Sequence, residues 1–225
     1  MIDALRNSSA HVFVESVQVP VLQDEDAHHL SRVLRLRDGE SVTCSDGQGS
    51  WVSCTWNSGA VEISGDIVVV ESSNPPLTIA IAPVKGDRTD LVIEKVVEIG
   101  IDHIIVLSPV ERSVVRWAAN KAPQVMDRYT RIARAAAMQS RRVFLPTVSG
   151  PVSLANVTGQ GVAFAEPGGT TAPDAVTTLV IGPEGGFAPA EVAGAPSLFD
   201  LGPSILRAET AAIVGAARMV AHWRR

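Results

Sequence analysis

The sequence predicts a protein of two parts, a small β-rich module followed by an α/β layer domain. Apolar and polar residues alternate through roughly the first 70 residues, which is typical of half-buried strands. After the proline-containing stretch 72–76, apolar strands alternate with amphipathic helices, which is typical of α/β layer structures. The 225 residues, 46% of them apolar, provide enough core for one large or two modest domains. We expect the first domain to span 1–73 and the second 77–225.

The first domain is expected to be a small β-barrel with one helix. A helix over 24–35 is predicted because acidic residues occupy its first turn, where they interact favourably with the helix dipole. Asp46–Gly49 supply turn chemistry between two of the strands. Period-2 patterning predicts strands at 11–17, 40–45, 50–56 and 67–71.

The second domain is expected to be a sheet covered by helices. Its longest predicted helix, 123–139, places its apolar residues on one face and several arginines away from that face. The apolar segments predict strands at 77–84, 103–107, 161–165, 178–181 and 198–201. The other predicted helices are 89–99, 189–193 and one that begins at 208.

Composition excludes several classes of protein. No apolar run approaches the roughly 18–20 residues needed to cross a bilayer, and the N-terminus lacks the pattern of a secretion signal. Two cysteines are too few for a disulfide scaffold or a four-ligand zinc site. We therefore expect a soluble cytoplasmic protein without a membrane segment or a metal.

The net charge of −5 conceals an uneven distribution. Residues 1–75 hold 4 basic and 11 acidic side chains, whereas 112–142 holds 8 basic side chains against Asp127 alone. The basic run has two interpretations, a solvated helix face or a surface that binds nucleic-acid phosphates. The excess is larger than solubility requires, so we favour the second.

Three glycine-bearing segments follow predicted strands: 166–169, 181–187 and 201–211. Because ligands of α/β proteins bind at the carboxyl ends of the strands, these segments predict a crevice. Each segment alone could equally be a turn without a ligand. None of them is a GxGxxG dinucleotide fingerprint or a GxxxxGK[ST] phosphate loop, so those two functions lose support.

The order of the motifs resembles one family. The matching motifs are Lys85–Arg88, Glu94–Gly100, Glu111–Ser113, Gln139–Arg142, Ile181-Gly-Pro-Glu-Gly-Gly-Phe187 and Leu201-Gly with Ile205-Leu-Arg-Ala-Glu-Thr-Ala211. They resemble the RsmE family, the ribosomal RNA small subunit methyltransferases of the SPOUT class. The segment His28–Gly39 is similar to the signature of that family's PUA-like domain. The resemblance covers nearly the whole chain.

This resemblance implies S-adenosylmethionine-dependent methylation of N3 of one uridine in the 16S rRNA of the small ribosomal subunit. It also implies a SPOUT-type α/β domain with a C-terminal trefoil knot, preceded by a PUA-like β-barrel that binds RNA, and a homodimer without a metal. The cofactor-binding residues that it implies are Ala165, Glu166, Ile181, Gly182, Gly185, Gly186, Leu201, Gly202, Ile205, Leu206 and Thr210. The RNA-binding residues that we assign are Arg32, Arg35, Lys85, Arg88, Arg112, Arg131, Arg134, Gln139 and Arg142.

Two residues are candidates for the chemistry itself. The acceptor nitrogen of uracil carries a proton that must be lost, and a cation that stabilises the developing anion or a positioned base would promote this loss. Arg207 is the first choice for the cation and Glu209 the weaker choice for the base. Two alternatives stay open: a SPOUT enzyme that acts on another RNA target, such as a ribose 2′-hydroxyl in tRNA, and a non-catalytic RNA-binding protein of the same fold.

Overall fold

A computed structural model describes residues 3–72, 75–170, 172 and 174–224. Ser73 and Asn74 of the predicted linker lie outside the described residues. The helices are α1 (Asp3–Asn7), α2 (Asp24–His28), α3 (Arg88–Ile99), α4 (Ala122–Gln139), α5 (Pro189–Ala193) and α6 (Ala208–Trp223). The strands are β1 (Ala10–Phe13), β2 (Ser41–Ser45), β3 (Ser50–Asn57), β4 (Ala60–Val69), β5 (Thr78–Ile81), β6 (His103–Leu107), β7 (Thr147–Val152), β8 (Val162–Thr170), β9 (Thr178–Ile181) and β10 (Leu198–Phe199).

The chain divides into two compact units. The first contains the described residues up to Ser72 together with Ala137–Leu145, which we call the returning segment; the second contains the other described residues. The domain bounds expected from the sequence, 1–73 and 77–225, stay a prediction, and they place the returning segment in the second domain.

The first unit is built on a four-stranded sheet of order β1-β2-β3-β4. The β1 strand runs parallel to β2, and the β2–β3 and β3–β4 pairs are antiparallel. A core of buried apolar side chains, including Val12, Val42, Val52 and Trp56, fixes the inward face of the strands. All four residues of β1 and four of the five in β2 are buried, so these strands are covered on both faces and not on one face as the alternation predicts.

Two elements of the first unit differ from the predicted ones. The single helix expected over 24–35 is α2 followed by a π-helical turn at His29–Val33. The strand expected at 67–71 is the end of β4, a ten-residue strand on the sheet edge that shifts register once against β3. Most β4 side chains are exposed, so its hydrophobic alternation was a weak signal.

The returning segment completes the first unit through its main chain. The amide of Gly49 donates to the carbonyl of Val143 at 3.1 Å, and the amide of Leu145 donates to the carbonyl of Gly47 at 2.9 Å. A Cβ atom at Gly49 would lie 2.6 Å from both the Phe144 ring and the carbonyl oxygen of Val70, so only glycine fits there. The unit is therefore made of two stretches distant in sequence.

His11 joins β1 to the same segment. Its side chain is buried; Nε2 lies 2.9 Å from the carbonyl oxygen of Arg142 and Nδ1 lies 2.8 Å from the hydroxyl of Thr43. A carbonyl oxygen only accepts, so Nε2 carries the proton and Nδ1 accepts from Thr43. Burial lowers the pKa of His11 from 6.5 to about 4 because desolvation disfavours the charged imidazolium.

The shifted pKa predicts an acid-sensitive first unit. The contribution of His11 to the free energy of unfolding is fully present above pH 6.5 and is lost as the pH falls toward about 4. Between these values the unfolded chain binds a proton on His11 that the folded chain does not. The full loss is about 3 kcal/mol in the free energy of unfolding. His11→Gln keeps a donor for Arg142 but does not titrate, so urea unfolding across this range should show a flatter dependence on pH.

The control for this experiment is His28→Gln, which replaces an exposed imidazole in α2 of the same unit. A His11→Gln variant whose stability falls with pH as steeply as that of the wild type would contradict the assignment.

The second unit is a six-stranded sheet of order β10-β8-β9-β5-β6-β7 in which every pair is parallel. The α/β class predicted for this half of the chain is confirmed. Helix α3 buries Val92, Ile93, Val96 and Val97, and it packs against α6. The trefoil knot stays a prediction.

The β7 strand at the edge of this sheet was not predicted. Its sequence contains Gly150 and Pro151, which are poor strand formers, and it pairs with β6 with a shift of register. Among the described residues, no helix is both long and apolar enough to cross a membrane.

Candidate functional site

The carboxyl ends of β8, β9 and β10 meet at one edge of the parallel sheet. A cavity of about 460 Å³ opens there, and we call it the strand-end cavity. Its volume lies within the range of small-molecule sites. Its lining residues are Ala165–Pro167, Ile181–Gly186, Asp200–Gly202 and Ser204–Ala208, with Ala211.

The first wall of the cavity is a wide bulge in β8. Phe164 pairs with Leu198 of β10, and the next β8 residue in register is Thr170, opposite Phe199. The five residues between, 165–169, therefore leave the ladder and bend toward the cavity. A Cβ atom at Gly169 would lie 2.3 Å from the carbonyl carbon of Leu198, so the bulge can close on β10 only with glycine at this position.

Asp200 bridges this bulge to the loop after β10. Its Oδ2 accepts a hydrogen bond from the amide of Gly168, and its Oδ1 accepts one from the amide of Gly202, both at 2.9 Å. The Gly202 and Gly168 amides hold the pKa of Asp200 below its usual range, because they stabilise the carboxylate. The guanidinium of Arg218 donates to the main-chain carbonyl of Asp200 at 2.8 Å and lies over the Phe199 ring.

The second wall is the loop after β9. Gly186 has a φ of +69°, and no described residue other than its chain neighbours has an atom within 4 Å of the position that a Cβ would occupy, so it provides both the turn and open space. Glu184 accepts a hydrogen bond from the amide of Lys85 at 2.8 Å. The guanidinium of Arg112 donates to the carbonyl of Gly185 at 3.3 Å. These two contacts fix the loop to the segments after β5 and β6.

The third wall is the segment that leads into α6. Ile205 and Leu206 supply its apolar surface, and the Ile205 side chain is 91% exposed at the rim. Arg207 is the N-cap residue of α6 and is exposed at the lining of the cavity. It is the only guanidinium among the described residues that line the cavity.

Glu209 lies in the first turn of α6, outside the lining of the cavity. One of its carboxylate oxygens, Oε1, is 3.6 Å from a guanidinium nitrogen of Arg88. The other, Oε2, is buried and has no hydrogen-bond partner among the described residues. The arrangement therefore directs the Glu209 carboxylate to Arg88 of α3.

The structure brings most of the predicted cofactor-binding residues to one place. Ten of them line the strand-end cavity, whereas Thr210 does not. The ten are Ala165, Glu166, Ile181, Gly182, Gly185, Gly186, Leu201, Gly202, Ile205 and Leu206. Asp200 also lines the cavity, and it was not among the predicted site residues. Its carboxylate and its main-chain carbonyl both accept hydrogen bonds, and its position near the end of a predicted strand is the only sequence feature that indicated it.

The predicted RNA-binding residues fall on both units. Arg32, Arg35, Gln139 and Arg142 belong to the first unit and Lys85, Arg88, Arg112, Arg131 and Arg134 to the second. Arg131 is exposed and Arg134 partly exposed on α4. In the basic run, Arg128 is engaged in an ion pair with Asp90, and Arg116 donates to main-chain carbonyls, so these two contribute less to a phosphate-binding surface.

The described residues contain no group of three or more His, Cys, Asp or Glu side chains that could hold a metal ion. Cys44 and Cys54 are free and buried in the first unit.

The chain is similar to known proteins over most of its length. Residues 71–220 match the family described as the RNA methyltransferase domain, and residues 22–55 match the RNA methyltransferase PUA domain. The chain is 30% identical over 221 residues to the ribosomal RNA small subunit methyltransferase E of Mycobacterium bovis, covering 87% of this chain and 84% of that protein. The protein of the same name from Bacillus subtilis is 29% identical, with 88% of each chain covered.

A solved structure shows the same fold over nearly the whole chain. A protein from Legionella pneumophila, solved with the bound cofactor SAM, superposes with a TM-score of 0.79 and is 27% identical. The match covers 94% of this chain and 97% of that one.

Proposed function

The chain belongs to the ribosomal RNA small subunit methyltransferase E family, and from this premise we propose that it transfers a methyl group from S-adenosylmethionine to N3 of one uridine in 16S rRNA. The observation that carries the proposal is the strand-end cavity, in which three glycine-bearing loops converge beside the guanidinium of Arg207. The match to this chain extends over 84% and 88% of the two relatives named for this activity. This coverage supports the same activity for this chain.

The residues of the cavity fit S-adenosylmethionine. The adenine ring needs apolar cover and main-chain partners, which Ile205, Leu206 and the loop after β9 offer. The positive charge of the sulfonium suits a lining that contains the Glu166 carboxylate. When bound, the cofactor supplies a methyl group on a positively charged sulfur, ready for displacement in line with the acceptor. The protein contributes by holding donor and acceptor in line.

Arg207 is the residue that we propose to act on the acceptor. N3 of uracil becomes a good nucleophile only as its proton leaves, and the negative charge then spreads over the two neighbouring carbonyl oxygens. A guanidinium stays charged at any relevant pH and can donate to one of these oxygens from the side, which leaves N3 open to the methyl donor. Arg207 carries the only guanidinium among the described residues that line the cavity, which supports this role in stabilising the anion.

Glu209 has a different role in this proposal. Its carboxylate faces Arg88, which is one of the proposed RNA-binding residues, and it does not line the cavity. We therefore assign Glu209 to holding Arg88, and we assign the removal of the acceptor proton to solvent.

The proposed RNA contacts lie on both units, and α4 provides the clearest of them. Arg131 and Arg134 are three positions apart in the sequence, so they lie next to each other on the helix surface. Each phosphate neutralised by such a residue releases a counterion, which makes the affinity depend on salt.

The double variant Arg131→Ala with Arg134→Ala should bind small-subunit RNA more weakly. Its affinity should also depend less on salt, because the magnitude of the slope of log affinity against log salt decreases by about 1.5–2. Fluorescence anisotropy over a salt series measures both quantities. Lys95→Ala is the matched control, because its ammonium is already neutralised by Glu94 and Glu98. Equal affinities for the double variant and the wild type would remove α4 from the RNA surface.

We further propose a homodimer with the strand-end cavity near its interface. The side chain of Ile205 is 91% exposed at the rim, and burial against a second chain would remove this apolar surface from water. Sedimentation should then give the mass of two 23.7 kDa chains, and a monomer at micromolar concentration would contradict the proposal.

The proposed substrate supports a location in the cytoplasm, and the family resemblance supports a trefoil knot around the three cavity loops.

The function is tested on small ribosomal subunits that lack the modification. Incubation with the protein and S-adenosylmethionine, followed by mass spectrometry of the nucleosides, should yield 3-methyluridine. A 2′-O-methylated nucleoside would contradict the proposed target, and an absence of any methylated nucleoside would contradict the enzymatic role. Parallel incubation with naked 16S rRNA shows whether the assembled subunit is required.

A further inference from the structure

Asp200 occupies a position where two walls of the strand-end cavity meet. The bulge 165–169 approaches from β8, and the segment 200–206 approaches from β10. Neither is part of a continuous strand ladder, because both follow the point at which the β8–β10 register shifts. Beyond the main-chain hydrogen bond from Asp200 to Thr170, the distance between the two segments therefore depends on contacts other than sheet hydrogen bonds.

The carboxylate of Asp200 supplies those contacts. Each of its oxygens accepts one amide proton at 2.9 Å, Oδ2 from Gly168 in the bulge and Oδ1 from Gly202 in the following segment. Hydrogen bonds to an ionised acceptor are about twice as strong as those between neutral groups. Both donors are glycines with positive φ, +81° and +140°, which are backbone conformations that glycine adopts more readily than other residues.

The rest of Asp200 is also fixed. Its amide donates to the carbonyl of Thr170 at 2.8 Å, where the bulge returns to β8, and its carbonyl accepts from Arg218 of α6. These hydrogen bonds fix the main chain of Asp200 at the end of β10. Its side chain then orients the two glycine amides.

From this arrangement we propose that Asp200 is a positioning residue for the cofactor, which sets the distance between the two loops that enclose S-adenosylmethionine by bonding one amide of each. The inference rests on the proposed function, since it concerns the affinity of the cofactor site. In this proposal Asp200 acts through the loops and not in methyl transfer, since each of its oxygens accepts a loop amide.

Asp200→Asn tests this role with almost no change of shape. The carboxamide has one oxygen and one NH₂ group, so whichever way it turns it can accept from only one of the two glycine amides. We expect the affinity for S-adenosylmethionine, measured by calorimetry, to fall about tenfold or more. In steady-state assays the KM for the cofactor should rise while kcat at saturating cofactor stays close to that of the wild type.

Hydrogen exchange in the protein without cofactor provides an independent readout. In Asp200→Asn, peptides that cover 165–170 or 200–206 should exchange faster, whereas those from β5 and α6 should be unchanged. The matched control is Asp174→Asn, which makes the same chemical change at an exposed carboxylate of the second unit outside the cavity. It should alter neither the affinity nor the exchange of the two loops.

The outcomes separate the two claims. A cofactor affinity within twofold of the wild type would overturn the positioning role, as would faster exchange throughout the second unit. If the wild-type protein itself bound no S-adenosylmethionine, the proposed function would fail and the cofactor role of Asp200 with it. The exchange experiment would even then decide whether Asp200 holds the loops together.

Discussion

Gly186→Val should abolish the binding of S-adenosylmethionine. Gly186 lies in the loop after β9 at a φ of +69°, a region that a β-branched residue adopts only with strain. Apart from the chain neighbours of Gly186, no described residue has an atom within 4 Å of the new Cβ, so the valine side chain would occupy open space at the lining of the cavity. Strain and obstruction act together, and we expect a loss of affinity of at least about 100-fold.

Calorimetric titration with the cofactor measures this loss directly. Gly59→Val is the matched control for backbone strain, since Gly59 also has a positive φ and open surroundings but lies in the turn between β3 and β4 of the first unit. It should lose stability and keep its affinity for the cofactor. Normal binding by Gly186→Val would show that the loop after β9 does not enclose the ligand.

The second large effect is expected at Arg207. Arg207→Gln removes the guanidinium at the lining of the cavity while keeping the N-cap position of α6 filled by a polar residue. Because the guanidinium is proposed to stabilise charge that develops only in the transition state, we expect kcat to fall by roughly 10²–10³-fold with little change in cofactor affinity.

The dependence of the rate on pH distinguishes this role from a structural one. An acceptor that ionises without help becomes reactive as the pH rises, so the rate of Arg207→Gln should increase with pH more steeply than that of the wild type. Arg207→Lys keeps the charge without the planar guanidinium and its fixed donor directions, and it should retain part of the activity. Equal losses of kcat and of cofactor affinity in Arg207→Gln would instead assign Arg207 to the shape of the loop.

The sequence predicted the elements whose causes are local. Helix α4 was placed within one residue of its observed start because its apolar residues recur at helical spacing. The strand-end cavity was predictable for a similar reason, since Gly182, Gly186 and Gly202 follow buried strands and strand ends of a parallel sheet share an edge.

The features that the sequence did not predict depend on pairings between distant residues. Gly169 and Asp200 owe their roles to the register of β8 against β10, which no local pattern encodes. The structure buries His11 against Thr43 and the carbonyl of Arg142, and no local sequence pattern indicates this position. That environment is set by the returning segment, some 130 residues further along the chain.

The two-stretch composition of the first unit has a consequence for its synthesis. Residues up to Ser72 emerge from the ribosome first, but the unit also requires Ala137–Leu145, which is made 65 to 73 residues later. At roughly 5–20 residues per second the delay is about 4–15 s. Through that interval Gly47 and Gly49 have no Val143 or Leu145 to bond, and His11 is exposed to water. The first unit therefore begins to be synthesised early but can complete its fold only after the returning segment is made. A pause in translation between the two stretches would prolong the time that the unit stays incompletely folded.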